Sequence, residues 1–199
     1  ANGRRFVDEG ADIRNYTYAK YGRVILQQPD QYAWQVFDSK VIPLLRDEYR
    51  IKQVTKVTAN TLEELAQKMG INADNFLAEM EAYNKAVITE KKFDMSVKDG
   101  RGTKGLEIPK SNWANAIDEP PYEAYQVGCG ITFTFGGLRV APQSSQVVDH
   151  DMKPIPGLYA AGELVGGIFY YNYPSGTGLM SGAVFGKIAG ESAAKASTA

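Results

Sequence analysis

The sequence predicts an α+β fold in two halves. Up to about residue 124, helical and strand patterns are mixed, and two of the helices there have clear sequence signals. Beyond Pro120-Pro121, a dipeptide typical of loops, the pattern changes to short apolar strands followed by one helix rich in small residues. With 199 residues, the chain can form one large domain or two small ones.

The composition excludes several classes of protein. The 44% of hydrophobic residues, with 12 Tyr and 8 Phe, indicates a globular chain with ample core. The 22 Lys and Arg residues against 23 Asp and Glu give a net charge of −1, so no nucleic-acid partner is expected. A single cysteine, Cys129, and a single histidine, His150, exclude an internal disulfide, a multi-cysteine metal site and catalysis by a histidine pair.

Neither a membrane span nor a leader is visible in the sequence. No apolar run approaches the ~20 residues that a spanning helix needs, and no basic segment followed by an apolar one opens the chain. A cytoplasmic location is therefore expected. An Asn-Gly turn normally follows a strand, and no strand precedes Asn2-Gly3, so we also expect this chain to be a fragment.

The first half is predicted to contain several elements before residue 93. They are a short strand at Arg5–Val7, a loop and helix from Gly10 to Gln28, a strand at Tyr32–Asp38, a short helix at Val41–Tyr49, and two longer helices. A capping box, with Thr61 as N-cap and Glu64 reaching back, opens the first longer helix, which ends near Met69. The second runs from about Asp74 to Thr89, and both are interpreted as packing elements.

The segment Gly100–Gly105 formally matches the dinucleotide fingerprint G-x-G-x-x-G. It follows a charged stretch rather than a strand, and no helical pattern opens after it. We therefore interpret it as a chance match inside a loop.

The second half is predicted to hold short strands around a glycine-rich segment. The strands are Tyr122–Val127, Ile131–Phe135, Leu138–Val140, Val147–Val148 and Leu158–Ala161, and the final helix runs from Gly178 to about Ala194. Between the last strand and the helix lies a loop rich in glycine and tyrosine. Small residues there let a flat ligand approach the backbone, and a helix N-terminus offers unpaired N–H groups. The alternative is that the glycines only allow tight packing.

Four motifs occur in an order that resembles a known family. They are Gly3–Glu9 (GRRFVDE), Phe135–Leu138 (FGGL), Pro156–Glu163 (PGLYAAGE) and Phe185–Gly190 (FGKIAG). Their order and spacing resemble the C-terminal part of the FAD-dependent fumarate reductase/succinate dehydrogenase flavoprotein superfamily, of the FAD-binding type 2. Within it, residues 169–178 and the YTYAKYGR stretch look most like tricarballylate dehydrogenase-like flavoproteins.

This resemblance implies a two-domain flavoprotein with FAD as cofactor. Residues 1–124 would be a partial capping domain, and residues 125–199 would be the β-rich C-terminal segment and last helix of the FAD-binding domain. The active site would lie between them, at the flavin. Glu163 would bind ribose or ribityl hydroxyls, and the backbone at Gly178-Leu179 would face the flavin pyrimidine edge. The implied cofactor-binding residues are Gly136, Gly137, Gly162, Glu163, Gly178 and Leu179; no metal is implied.

The resemblance also implies a catalytic arginine. The family's acid/base follows an F-V-N-E-like motif by a few residues, which makes Arg14, after Phe6–Glu9, the candidate. Because the free pKa of arginine is above ~12, proton transfer would require cationic neighbours or a shielded relay. The alternative role is a clamp for a substrate carboxylate, which the planar guanidinium suits equally well.

Two positions depart from the fumarate reductases, which carry His at the position of Thr132 and Arg near Tyr173. Fumarate reduction and succinate oxidation are therefore not expected, but Thr132 and Tyr173 can still donate hydrogen bonds in the catalytic site. The Tyr173-Pro174-x-Gly176 pattern also resembles 3-ketosteroid dehydrogenases, in which a tyrosine assists enolisation of a ketone.

Three functions follow from the resemblance. The first is an FAD-dependent dehydrogenase that moves hydride to flavin N5 from a carbon–carbon bond beside carboxylates, as from tricarballylate to cis-aconitate, and passes electrons to a separate partner. The second is a ketone or 3-ketosteroid dehydrogenase that uses Tyr173. The third is an inactive chain that lacks the βαβ unit for the FAD pyrophosphate and self-associates through its exposed FAD-domain face.

Overall fold

A computed structural model describes residues 2–131 and 134–198. The chain forms two compact units. The first comprises Ala1–Thr17 and Tyr21–Cys129, and the second comprises Tyr18–Lys20 and Gly130–Ala199. Helices and strands occur in both, which agrees with the predicted α+β fold.

A three-stranded antiparallel sheet forms the centre of the first unit. Its strands are β1 (Tyr32–Phe37), β2 (Lys56–Ala59) and β3 (Tyr122–Gly128), in the spatial order β1-β3-β2. Trp34 of β1 pairs with Gln126, and Val57 of β2 pairs with Ala124. Because β3 pairs with β1 as far as Gly128, the expected domain boundary after residue 124 falls inside this strand.

Two helices, α2 (Leu62–Met69) and α3 (Ala73–Ala86), pack on this sheet. The predicted capping box is confirmed: Glu64 N donates to Thr61 Oγ1 at 3.1 Å, and the Glu64 carboxylate accepts from Asn60 N at 3.3 Å. The helix ends at Gly70, which adopts φ +66°. The core shared by sheet and helices consists of Ala59, Leu65, Ala66, Met69, Phe76, Met80, Tyr122 and Ala124.

The other predicted elements of this unit have mixed outcomes. Helix α1 (Tyr18–Leu26), whose residues from Tyr21 on belong to this unit, lies within the predicted segment and stops before Pro29. The predicted strand at Arg5–Val7 is wrong, because this segment is tied by the Arg5 guanidinium to the carbonyls of Ile108 and Pro109 rather than by a strand ladder. The predicted helix at Val41–Tyr49 is also wrong; two 3₁₀ turns, Ile42–Leu44 and Asp47–Arg50, are separated by extended backbone at Leu45.

The second unit contains a two-stranded antiparallel sheet and a long helix. Strand β4 (Gln146–Val148) pairs with β5 (Pro154–Tyr159), and α4 runs over Thr177–Ser197. Val147, Ala160 and Val165 form a small core with Val140 and Phe185 packed against it. Of the strand predicted at Leu138–Val140 only two isolated bridges form. Ile131, Thr134 and Phe135 are not in a strand, and Thr132 and Phe133 lie outside the described residues.

No helix within residues 2–131 and 134–198 is both long enough and apolar enough to cross a membrane.

Candidate functional site

The glycine-rich segment of the second unit connects β5 to α4 through a 3₁₀ turn, Gly162–Leu164. Gly162 adopts φ +72°, and Gly176, the N-cap of α4, adopts φ +86°. A Cβ at either residue would meet no atom within 4 Å, so it is the backbone conformation, and not crowding, that favours glycine here. The space beside both residues is open to a ligand.

Close packing explains two other glycines. A Cβ on Gly137 would lie 2.4 Å from Leu164 O, and one on Gly166 would lie 2.5 Å from Gly137 N. The two segments are joined by hydrogen bonds from Leu138 N to Leu164 O, at 2.7 Å, and from Gly166 N to Leu138 O, at 3.0 Å. Tight packing therefore accounts for Gly137 and Gly166, whereas Gly136, Gly162 and Gly176 face open space.

Two neighbouring cavities lie along this segment. One, of about 360 Å³, is lined by Thr134, Gly162, Glu163, Val165, Phe169, Tyr173, Gly178, Leu179 and Ser181. The other, of about 290 Å³, shares Thr134 and Glu163 and adds Gly136, Gly137 and Leu164. The structure thus brings together all six residues predicted to bind the cofactor, along with Tyr173. Their roles in binding stay predictions.

Glu163 is anchored at the junction of the two cavities. Its carboxylate oxygen Oε1 accepts a hydrogen bond from the backbone N–H of Thr134 at 2.8 Å. The residue is exposed, so its charge is not penalised by burial. A carboxylate held in this way can accept hydroxyl hydrogen bonds from a sugar or ribityl chain.

Tyr173 is the buried polar residue of this site, with 6% of its surface exposed. Its Oη accepts a hydrogen bond from Gly178 N at 2.6 Å, which satisfies one of the unpaired N–H groups at the start of α4. The ring packs against Phe169 at 4.9 Å and stacks near Phe135 at 6.3 Å between centroids. A phenol can accept and donate at once, so this oxygen can also act as a donor.

The described residues fit the ring end of a flavin. Ser181 Oγ is buried on the cavity wall and has no hydrogen-bond partner among the described residues, so a ligand atom would satisfy it. The open backbone at Gly162 and Gly176 admits a flat group, and the start of α4 favours negative charge. FAD therefore agrees with the donor and acceptor set found here.

Arg14 lies in the first unit, at the start of the 3₁₀ turn Arg14–Tyr16. Its side chain is 60% exposed, and its Nη2 lies 3.6 Å from Glu48 Oε1. The other Glu48 oxygen lies 3.7 Å from Arg46 Nε, so Arg14 has a cationic neighbour across a shared carboxylate. Burial raises the pKa of nearby Tyr49, and the charge of Arg14 opposes that shift.

Two residues of the site carried no sequence signal. Thr134 acts through its backbone N–H, which every residue except proline offers, and Ser181 is one small residue among several in α4. Thr132, the third predicted catalytic residue, lies outside the described residues. Arg14 and Tyr173 are assigned to different units, and their catalytic roles stay predictions.

Comparisons with known proteins identify the same superfamily. A family model described as "FAD binding domain" matches residues 1–179. A probable fumarate reductase of Shewanella frigidimarina is 34% identical over 197 residues, which cover 98% of this chain and 30% of that protein.

Two solved structures are similar to the chain. The open conformation of a flavocytochrome c3 fumarate reductase matches with a TM-score of 0.69 and 30% identity, over 98% of this chain and 31% of that one. The 3-ketosteroid-Δ4-(5α)-dehydrogenase of Rhodococcus jostii RHA1, in complex with 4-androstene-3,17-dione, matches with a TM-score of 0.65 and 30% identity, over 98% and 38%. The chain thus spans about a third of the length of each of these relatives.

Proposed function

Because the chain belongs to the FAD-binding domain family, we propose that it serves an FAD-dependent dehydrogenase acting on a carbon–carbon bond next to a carbonyl group. One observation carries this proposal: the buried phenol of Tyr173 is fixed at the cavity wall, with its oxygen 2.6 Å from Gly178 N. FAD, when bound, supplies the hydride-accepting chemistry of such a reaction.

Tyr173 is the residue that would activate the substrate. Donation from its O–H to a carbonyl oxygen withdraws electron density and makes the adjacent C–H more acidic. As the proton shifts toward the substrate, negative charge builds on the phenol oxygen. The Gly178 N–H and the start of α4 stabilise that charge without reorganisation, because both are already in place.

The charges of the cavity favour a ketone over a polycarboxylate. Among the described residues that line the larger cavity, none is Arg or Lys, and the charged one is Glu163. An anionic substrate would find no cation to pair with among these lining residues, whereas the rings of Phe169 and Tyr173 suit an apolar substrate. The similarity to a ketosteroid dehydrogenase bound to a steroid dione supports the same substrate class.

The second candidate is dehydrogenation beside carboxylates, of the tricarballylate-to-cis-aconitate type. Its supporting observation is Arg14, whose exposed guanidinium is available as a bidentate carboxylate clamp. The ion pair between Arg14 and Glu48, at 3.6 Å, favours the clamp over proton transfer, because a nearby carboxylate stabilises the charged guanidinium. The similarity to a probable fumarate reductase supports an acid substrate. In either case a separate redox partner would accept the electrons.

A flavin titration tests these proposals. The purified chain and the product of the whole reading frame that contains it are each mixed with FAD, and the visible spectrum is recorded before and after substrate. Bleaching by the saturated ketone 5α-androstane-3,17-dione, but not by tricarballylate, supports the Tyr173 proposal; the reverse supports the second candidate. If neither protein takes up flavin, both candidates are wrong.

Two variants separate the candidates further. Tyr173→Phe should slow ketone-driven bleaching by roughly 10²–10⁴-fold, the usual contribution of a positioned proton donor. Tyr159→Phe, on β5 and outside both cavity linings, is the matched control and should bleach at the normal rate. Arg14→Gln should slow bleaching by tricarballylate by roughly 10²–10⁴-fold if the second candidate holds. Normal ketone turnover in Tyr173→Phe would contradict the first proposal.

A further inference from the structure

Asp8 joins two distant segments of the first unit. Its Oδ1 accepts hydrogen bonds from Gly10 N at 2.9 Å and Ser111 N at 3.0 Å, and its Oδ2 accepts from Ser111 Oγ. Both carboxylate oxygens are therefore used by the chain itself. Charge-assisted bonds of this kind are stronger than bonds between neutral groups.

Asn112 strengthens this link between residues 8–10 and residues 111–112 with its own side-chain hydrogen bonds. It is buried, with 7% of its surface exposed; its Nδ2 donates to Gly10 O at 2.8 Å, and its Oδ1 accepts from Gly100 N at 2.8 Å. Gly10 is buried as well, and a Cβ there would lie 2.4 Å from Asn112 O. We call Asp8, Gly10, Ser111 and Asn112 the Asp8 clasp.

The clasp lies just before Arg14 in the chain, and further hydrogen bonds hold the backbone on both sides of that residue. The Asp8 backbone carbonyl accepts from Ala11 N, at 3.3 Å, and from the Tyr21 hydroxyl. On the other side of Arg14, the buried Thr17 donates to Arg14 O through its N, at 3.0 Å, and its Oγ1, at 3.4 Å. The backbone of Arg14 is thus held before and after the residue, while its guanidinium remains exposed.

We infer that Asp8 is a positioning residue for Arg14. By tying Gly10 to Ser111, it fixes the path of residues 10–13 and so restricts where the guanidinium can reach. This inference rests on the substrate-handling role proposed for Arg14. Asp8 itself has both oxygens occupied by the clasp, so it acts through Arg14 rather than on the substrate.

Amide hydrogen exchange, measured residue by residue by NMR on the full chain, tests the clasp without any flavin. Asp8→Ala should speed exchange at Gly10 and Ser111 together by about tenfold or more, because both amides lose the same charged acceptor. Asp8→Asn keeps an acceptor oxygen and should restore exchange to within about twofold of the normal rate. Ser111→Ala, a milder change, should speed exchange at Gly10 only slightly.

The matched control is Asp149→Ala. Asp149 Oδ1 accepts from Asp151 N and Lys153 N, both at 2.9 Å, in a turn of the second unit. Its removal should speed exchange at those two amides and leave Gly10 and Ser111 unchanged. Unchanged exchange at Ser111 in Asp8→Ala would overturn the clasp.

A double variant tests the positioning role in the flavin-loaded product of the whole reading frame. The turnover of tricarballylate is measured. If Asp8 acts through Arg14, the double variant Asp8→Ala/Arg14→Gln should lose no more of this turnover than Arg14→Gln alone, and Asp8→Asn should keep it normal. Additive losses, or normal turnover in Asp8→Ala, would overturn the positioning role. If the unmodified protein does not turn over tricarballylate, the second candidate and the positioning role fail together, while the exchange data still decide whether the clasp exists.

Discussion

In the first unit, two helices and a sheet bury apolar side chains between them, whereas in the second unit the long helix α4 leaves Leu179, Met180 and Val184 exposed. Leu65 of α2 is fully buried, but Leu179 of α4 is 79% exposed and Leu158 of β5 is 45% exposed. Among the described residues of α4, none is buried. The first unit therefore has a well-buried hydrophobic core. The second unit, which contains the two cavities, has a much smaller one.

The largest expected effect comes from making the same truncation in both units. Leu65→Ala should lower the free energy of unfolding by about 2–5 kcal/mol, because it leaves a cavity in a closed core. Leu158→Ala, at an exposed position, should cost less than about 1 kcal/mol. Urea denaturation followed by circular dichroism measures both. Equal losses would mean that the second unit is packed as tightly as the first.

The N-termini of α2 and α4 also differ, because α2 has a side-chain cap and the N-cap of α4, Gly176, has none. Thr61 caps α2 with its side chain, and its replacement by Ala should cost about 1 kcal/mol. Thr198→Ala, at the far end of α4, is the control and should stay within about 0.5 kcal/mol of the parent in the same measurement. A Thr61→Ala variant as stable as the parent would show that tertiary contacts alone hold α2.

The start of α4 depends instead on Tyr173. In Gly178→Ala, the new Cβ would lie 2.5 Å from Tyr173 Oη, so the phenol must move and the hydrogen bond should lengthen or break, with a cost of about 0.5–1.5 kcal/mol. Gly186→Ala, where a Cβ meets nothing within 4 Å, should instead stabilise the helix by up to about 1 kcal/mol. Thermal unfolding distinguishes them, and two stabilised variants would contradict the Tyr173 contact.

Acid should weaken α2 through Glu64. Its hydrogen bond from Lys68 lowers the pKa of Glu64 below its usual 4.5, and the backbone bond from Asn60 acts in the same direction. A depressed folded-state pKa means that the carboxylate adds stability above pH 4.5 and that this contribution is lost as the pH falls through the folded-state pKa. Glu64→Gln should therefore show a flatter stability profile below that pH. Parallel profiles for the two proteins would exclude this contribution.

The exposed apolar face of the second unit gives the smallest expected effect on structure. We define this face by Leu158, Leu164, Leu179 and Met180, each at least 45% exposed. Two copies of the chain should associate weakly through it, with an average mass in light scattering that rises with concentration. Leu179→Glu should remove the concentration dependence. A parent protein that stays monomeric at all concentrations would contradict the association.

Local signals in the sequence predicted the longer helices, whereas the residues predicted to bind the cofactor came from the resemblance to the family. The Thr61 capping box fixed the start of α2, because its hydrogen bonds join residues within one turn. Strand β2 was not predicted, because Lys56–Ala59 has little apolar pattern and forms only by pairing with β3. The contacts of Glu163 with Thr134 and of Asp8 with Ser111 join residues that no local pattern connects, and backbone N–H donors leave no mark in a sequence.

The order of the strands in the first sheet has a consequence for synthesis of the chain. In the sheet, β1 and β2 are not neighbours; each pairs with β3, and 62 residues lie between the end of β2 and the start of β3. At roughly 5–20 residues per second, translation of that interval takes about 3–12 s, during which both strands lack their partner. The helices α2 and α3, whose bonds are local, can form in that time. On the ribosome, this unit should therefore gain its helices first and close its sheet only after Gly128 has emerged.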